Sequence, residues 1–493
     1  MNKQLRALSR TVFGMFLVLF LSVTMIQFVT ADDLRAHELN GRTLKNSYKV
    51  ERGSILVSGD PIAYSTPTDD QYRFVRQYSA GEMYAPVTGY FSRTQGMTGL
   101  ESAMNQELSG LAGAQFFTRL ARTVTGQQPQ GSSIETTIDP VVQQAAMDAM
   151  AGYEGAVVAL DPSTGRVLAM VSTPSFDPSL LSSNNDAEII ANYRQLNADE
   201  SRPLVNRAIA GDLYHPGSTY KLVVAAAALE NGTATPSSTF DNPATLPLPQ
   251  SNATMQNASR TTCGSGSTVS LQQALVYSCN IPIAELAMSM DRDAVPKMAR
   301  EFGFEQDLSI PLTVTPSVVG TPIDAAQTAI SSIGQLDVRS TPLQMAMVSA
   351  GIANGGEVMK PYLVDRVIAP DLRVEQQFEP EVLGTPISDS TADQLAMMME
   401  HVVADLDGTG RVAAIDGVRV AGKTGTAENG TDESGAERPY TLWFTGFAPV
   451  DDPQVAIAVV IANGGGAAHD YLGSSYELPT AVGKQVMEAV LNQ

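Results

Sequence analysis

His215-Pro216-Gly217-Ser218-Thr219-Tyr220-Lys221 runs directly into Leu222-Val223-Val224-Ala225-Ala226-Ala227-Ala228-Leu229 and stops at Glu230-Asn231-Gly232. Pro-Gly makes a turn, serine opens a helix and Asn-Gly ends it, so this stretch reads as a helix buried in a core. At spacing i, i+3, Ser218 and Lys221 share a face of that helix, within reach of each other. A serine hydroxyl is a weak nucleophile until a base takes its proton. A lysine desolvated against an apolar helix has its pKa lowered towards that role. The helix N-terminus also offers backbone N–H groups where an acyl oxyanion would form. Ser-x-x-Lys by itself is a weak signal, equally satisfied by a capped helix with a surface lysine.

Two further stretches give it company. Ser278-Cys279-Asn280 follows Leu271-Gln272-Gln273-Ala274-Leu275-Val276-Tyr277 at the end of a predicted helix. Its hydroxyl and amide, two residues apart, suit a proton relay and the holding of a substrate amide. The spacing recurs in Ser182-Ser183-Asn184, so alone it reads as a helix-terminal turn. Lys423-Thr424-Gly425-Thr426 is sharper, because Lys-[Ser/Thr]-Gly occurs nowhere else in the chain and Val418-Arg419-Val420-Ala421-Gly422 leads into it as a strand. Glycine lets a ligand backbone lie close to that strand, while the cation and hydroxyls suit a carboxylate.

Outward from these motifs, Gln143 to Met150 reads as a helix. Ala156–Leu160 and Val167–Val171 flank Asp161-Pro162-Ser163-Thr164-Gly165 as a β-hairpin. Val418–Thr426, Tyr440–Ala448 and Val455–Ala462 are strand candidates near the other end. Strands at both ends with helices between them predict an α/β fold, an antiparallel sheet flanked by helices, rather than a doubly wound one. Ahead of it, residues 32–135 are mixed and polar and end in linker-like Val124–Ser133, which marks a smaller N-terminal domain. The polar, Gly-containing stretch Glu428–Arg438 is expected as a loop beside the third motif.

Thr11–Ala31 carries no charge, and at about 1.5 Å per residue it spans roughly 30 Å of hydrocarbon. Lys3, Arg6 and Arg10 before it and Asp32 and Asp33 after it leave residues 1–10 as a cytoplasmic tail, 11–31 as a single-pass membrane anchor, and the rest outside. The alternative is a cleaved signal peptide ending at Val29-Thr30-Ala31. Outside the cell, the two cysteines, Cys263 and Cys279, are expected as a disulfide, with two buried thiols as the alternative. Four scattered histidines, His37, His215, His401 and His469, give no metal-ligand spacing, so neither metal nor cofactor is expected. With 493 residues, 43% of them apolar, the chain has room for two folded parts. A net charge of -21 with no basic cluster argues against a nucleic-acid partner.

The three motifs taken together, in the order Ser218, Ser278, Lys423, resemble those of penicillin-binding proteins and serine β-lactamases. Arg52-Gly53-Ser54-Ile55, Gly99-Leu100-Glu101, Gly155–Asp161, Thr341–Ala346 and Trp443–Pro449 extend the likeness over nearly the whole chain. The chain is similar to a class B penicillin-binding protein of the actinobacterial kind with a short N-terminal part. The resemblance implies a penicillin-binding transpeptidase fold over residues 136–493 and a pedestal or dimerisation-like domain over 32–135. It implies a D,D-transpeptidase that cross-links peptidoglycan stem peptides and is inhibited by β-lactam antibiotics. Ser218 would be acylated and Lys221 would be its base. Ser278 and Asn280 would relay a proton and position the substrate amide, and Lys423, Thr424, Gly425 and Thr426 would hold the terminal carboxylate. No glycosyltransferase fits in the first domain, so a membrane glycan polymerase is the implied partner. The family often has Gly-Gln-Gly where this chain has Gly334-Gln335-Leu336. A D,D-carboxypeptidase or β-lactamase shares the acylation chemistry, and a non-catalytic scaffold of the wall-synthesis complex is the reading from another class.

Overall fold

The computed structural model describes residues 2–26, 30, 50–111, 130–211 and 213–493. The first helix, α1 (Asn2–Thr24), is long and apolar enough over Lys3–Thr24 to cross a membrane, with Phe13, Phe16 and Phe20 exposed along it. It begins earlier than expected and takes in the basic residues Lys3, Arg6 and Arg10. The cleavage alternative, Asp32, Asp33, His37 and most of the expected linker fall outside the described residues. The linker's last residue, Ser133, opens a strand instead.

The N-terminal part supplies β1 (Ile55–Val57), β2 (Asp60–Pro67) and β3 (Phe74–Tyr78), and β4 (Ser133–Thr136) returns parallel to β1. Next come α2 (Pro140–Ala149), β5 (Gly155–Leu160) and β6 (Val167–Thr173). Helix α2 starts where Asp139 caps it, accepting from the N–H groups of Val141 and Val142 at 2.9 and 3.0 Å, with Pro140 in the first turn. The middle of the chain gives α3 (Lys221–Glu230), α4 (Leu271–Val276), α5 (Ile281–Ser289) and α6 (Pro342–Ala353). Strands β7 (Val364–Ile368) and β8 (Val374–Gln377) follow, then α7 (Asp389–Ala404). The last elements are β9 (Ala421–Ala427), β10 (Thr441–Ala448), β11 (Val455–Ile461) and α8 (Leu478–Leu491).

The central sheet has the order β9-β10-β11-β5-β6 and is antiparallel throughout. Every residue of β5, β10 and β11 is buried, because helices cover both faces. Val157, Ala159, Ile457 and Val459 pack with Val142 of α2 and Val482 of α8, while Ala156, Val158, Ala458 and Val460 share a core with Met345 of α6. This is the helix-flanked antiparallel sheet expected from strands at both ends of the domain. Strand β9 lies at one edge, so its outer side faces the turn that carries Ser218.

A second, six-stranded sheet has the order β8-β7-β4-β1-β2-β3. Strands β7 and β8 come from the middle of the larger part and pair through β4 with the N-terminal strands. The division drawn at residue 135 therefore runs through a continuous sheet. Beside this sheet, Glu101 is fully buried between Arg52 (Nε to Oε2, 2.5 Å) and Arg76 (Nε to Oε1, 2.6 Å). The Tyr78 hydroxyl donates to Glu101 at 3.3 Å and accepts from the Phe91 N–H at 2.8 Å. Burial pushes the Glu101 carboxyl up, but the charges of Arg76 and Arg52 outweigh it and leave it below its usual value.

Replacing Glu101 with alanine leaves two buried guanidiniums without their shared anion, which should cost about 3–5 kcal/mol. Thermal melts of the full-length protein in detergent check it, and an unchanged melting temperature would refute the assignment. Because the carboxyl is depressed in the fold, this stabilisation is present above its unfolded pKa and is lost as pH falls through the folded one. Leu336 stands at φ +62°, a left-handed conformation that glycine adopts freely, and its side chain is 37% exposed. Leu336→Gly should therefore raise stability by about 1 kcal/mol, read as a higher melting temperature.

Candidate active site

Strand β9 and the ends of α3, α4 and α5 converge on one site. Gly217–Tyr220 forms a 3-10 turn that feeds α3, and Gly217 has φ +53°. A Cβ there would lie 2.5 Å from the Thr426 carbonyl, so glycine lets the turn press against β9. Gly334 makes a matching approach on the other side: its carbonyl accepts the Gly217 N–H at 3.1 Å, and a Cβ on it would meet the Gly217 carbonyl at 2.2 Å. Ser218 is thereby pinned between β9 and Gly334. It is half-buried, and its hydroxyl makes no hydrogen bond among the described residues.

Lys221 opens α3 and is wholly buried, with Nζ donating to the Ser278 carbonyl at 2.8 Å and to Asn280 Oδ1 at 2.7 Å. Lys423 on β9 is equally buried, with Nζ donating to Ser278 Oγ at 2.9 Å and to the Thr424 carbonyl at 2.9 Å. Ser278 thus touches both lysines, one through its carbonyl and one through its hydroxyl. It does so at φ +57°, a conformation unfavourable for a side-chain-bearing residue and typical of functional sites. Helix α4 ends at Val276 and α5 starts at Ile281, so Ser278 and Asn280 lie in the turn between two helices.

Burial pushes the Lys221 amine well below its ordinary pKa, and the nearby Lys423 charge pushes it the same way. Burial brings Lys423 down to about 7. Burial thus disfavours a charge on either amine, and Lys221 bears the added push of the Lys423 charge.

The other residues of the third motif divide. Thr426 is exposed, whereas Thr424 is buried, with its hydroxyl on that of Thr409 at 2.8 Å. A Cβ on Gly425 would lie 2.9 Å from the Pro216 carbonyl, so the glycine serves close packing of β9 on the Ser218 turn. Sequence reasoning missed Thr409, which also donates its N–H to the Val276 carbonyl at 3.3 Å. It missed Ser475 too, whose hydroxyl lies 2.9 Å from that of Thr426. Neither stands in a pattern that could have singled it out.

Cys263 and Cys279 form a disulfide, with Cα atoms 5.6 Å apart, that ties the second motif to the loop before it. The Glu428–Arg438 stretch leaves β9 as an exposed ribbon closed by the Thr431–Glu437 bridge.

The family described as the penicillin-binding protein transpeptidase domain matches residues 155–488, and that described as the penicillin-binding protein A dimerisation domain matches residues 52–134. The peptidoglycan D,D-transpeptidase PbpA of Mycolicibacterium smegmatis is 42% identical over 499 residues, covering 100% of both chains. The peptidoglycan D,D-transpeptidase MrdA of Haemophilus influenzae is 30% identical over 85% of this chain. The ceftriaxone acyl-enzyme complex of penicillin-binding protein A from M. tuberculosis superposes with a TM-score of 0.85 at 40% identity, over 91% of this chain and 100% of that one. Its penicillin G acyl-enzyme complex gives 0.83 at 41% identity, over 90% and 100%. With the two lysines on Ser278, the helix-flanked sheet and these matches in agreement, the chain belongs to the penicillin-binding protein transpeptidase family.

Proposed function

We propose that this protein cross-links peptidoglycan as a D,D-transpeptidase, with Ser218 as its nucleophile and Lys221 as the base. The observation that carries the reading is the contact of buried Lys221 and Lys423 with opposite sides of Ser278, next to an unengaged Ser218 hydroxyl. The substrate is a stem peptide ending in D-Ala-D-Ala, and its terminal carboxylate binds at Thr426 under the field of Lys423. Thr424 and Gly425 hold the strand that presents them.

Neutral Lys221 takes the Ser218 proton as Oγ bonds to the penultimate D-Ala carbonyl carbon. The N–H groups of Ser218 and Thr426 receive the oxyanion. The C–N bond to the terminal D-Ala then breaks, and its nitrogen takes a proton relayed through Ser278, while Asn280 positions the substrate amide. An amine of a second stem peptide attacks the acyl carbon, gives up a proton and returns Ser218 to its hydroxyl form. A β-lactam follows the first half alone. Its leaving nitrogen stays tethered in the site, so the acyl-enzyme persists.

In this reading residues 1–10 are cytoplasmic, 11–31 anchor the protein in the membrane, 32–135 form a pedestal, and 136–493 form the catalytic domain outside the cell. The apolar helix Lys3–Thr24 supports the anchor, and the basic residues at its start support the orientation. Glycan strands come from a membrane polymerase, since neither matched family region describes a glycosyltransferase.

Intact-mass spectrometry of the full-length protein after penicillin G should show one adduct, mapped to Ser218 and absent in Ser218→Ala. Rapid loss of the adduct would point to a β-lactamase, and no adduct to a scaffold. The second-order acylation constant should rise with pH as Lys221 loses its proton, then fall as Lys423 deprotonates near pH about 7. A bound carboxylate stabilises the Lys423 cation, so at saturating ligand the falling limb should move to higher pH. Stopped-flow with a fluorescent penicillin measures both, and a profile flat through pH ~9 would contradict the division of roles between the lysines.

A further inference from the structure

Between α3 and α4 the chain makes an excursion of two short ribbons. Thr239–Asp241 pairs with Thr268–Ser270, and Thr245–Pro247 pairs with Thr254–Gln256. No motif falls within it, yet it ends against the second motif. Asn257, directly after the last of the inner strands, is 3% exposed. Its Oδ1 accepts the backbone N–H groups of Asn280 at 2.9 Å and Ile281 at 3.2 Å, while its Nδ2 donates to the Thr261 carbonyl at 3.1 Å. The neighbouring Gln256 carbonyl accepts from Asn280 Nδ2 at 2.9 Å.

These contacts replace something α5 lacks. The first N–H groups of a helix have no partner within it and are normally met by a local cap. Asn280 stands at the cap position but gives no side-chain cap, because its carboxamide is turned to Lys221 and Gln256. Asn257 meets those donors from a distance of 23 residues along the chain. One carboxamide therefore frees another for the site. With its Nδ2 on Gln256, Asn280 turns its oxygen to Lys221 Nζ at 2.7 Å.

We propose that Asn257 is a positioning residue for acyl transfer: by holding the backbone of Asn280 it holds the carboxamide that aims the Lys221 amine beside Ser218. This rests on the reading of Ser218 as nucleophile and Lys221 as base. A purely structural buried asparagine would lower stability when replaced and leave the chemistry of the surviving folded protein alone. A positioning residue changes the chemistry itself, since small displacements around a reacting group cost roughly ten- to a hundred-fold in rate.

Two variants separate these cases in the full-length, detergent-solubilised protein. Asn257→Leu keeps the branched shape and removes both hydrogen-bonding functions. Asn257→Asp keeps the acceptor for the Asn280 and Ile281 N–H groups and adds a negative charge. Lys423, from β9, is the charged group facing Lys221, and Ser278 and Asn280 on the other side are neutral. A new carboxylate one residue beyond Asn280 should therefore favour the Lys221 cation.

The expected result is a loss of about ten-fold or more in the second-order acylation constant for Asn257→Leu, measured with a fluorescent penicillin on protein that melts cooperatively. Asn257→Asp should recover the rate at high pH to within about three-fold, with its rising limb moved to higher pH. Folded Asn257→Leu protein that acylates like the unmodified chain would overturn the proposal. If Asn257→Leu does not fold, Asn257→Asp decides: a displaced rising limb supports the proposal and an unmoved one overturns it. Unmodified protein that takes no adduct on Ser218 would overturn the underlying reading as well.

Discussion

Two ammonium groups sealed from water and touching the same serine cannot both keep their protons at neutral pH. Lys221 and Lys423 are in that position, with Ser278 between them, and much of the surrounding architecture serves to keep them there. Ser278 meets both only in a left-handed backbone conformation, which is tolerated because its neighbours overdetermine the turn. Cys279, the next residue, is held by a disulfide, and Asn280 after it is held by Asn257. That constraint holds two buried amines against one residue, and burial lowers the pKa of both.

The sheet makes this arrangement possible by leaving β9 at its edge. An interior strand would have both sides paired, whereas β9 bonds to β10 on one side and leaves its other to the Ser218 turn. Glycines at 217, 334 and 425 bring the three backbones together, since a Cβ at any of them would come within 3 Å of a neighbouring main chain. The six-stranded sheet beneath adds rigidity of another kind. Strands β7 and β8 are donated from the larger part, so it shares a sheet with the N-terminal part.

Much of this was legible along the chain because it is local. The strands β5, β6, β10 and β11 stood out as apolar runs between turn residues. Most of helix α2, and each of the motifs at Ser218, Ser278 and Lys423, were likewise visible from a few adjacent residues. The limits of the reading were local too. Val418–Val420 looked like strand, but Val418 only closes the Asp416-Gly417 turn by bridging to Ile415, and β9 begins only at Ala421. Leu336 registered as a departure from Gly-Gln-Gly, and the structure shows why glycine suits that position, since its φ is positive.

The sequence by itself determined the helix-flanked antiparallel sheet, the apolar N-terminal helix and the residues of the three motifs, because periodicity, turn chemistry and spacing act over a few residues. Only the tertiary structure decided that both lysine amines are pushed down, since that depends on burial and, for Lys221, on a second charge 202 positions away in sequence, from residue 221 to residue 423. It also decided that Thr409, Ser475 and Asn257 contact residues of the motifs and that β7 and β8 complete the six-stranded sheet. A buried polar atom takes whatever partner folding brings within about 3 Å, and no local pattern records which residue that will be.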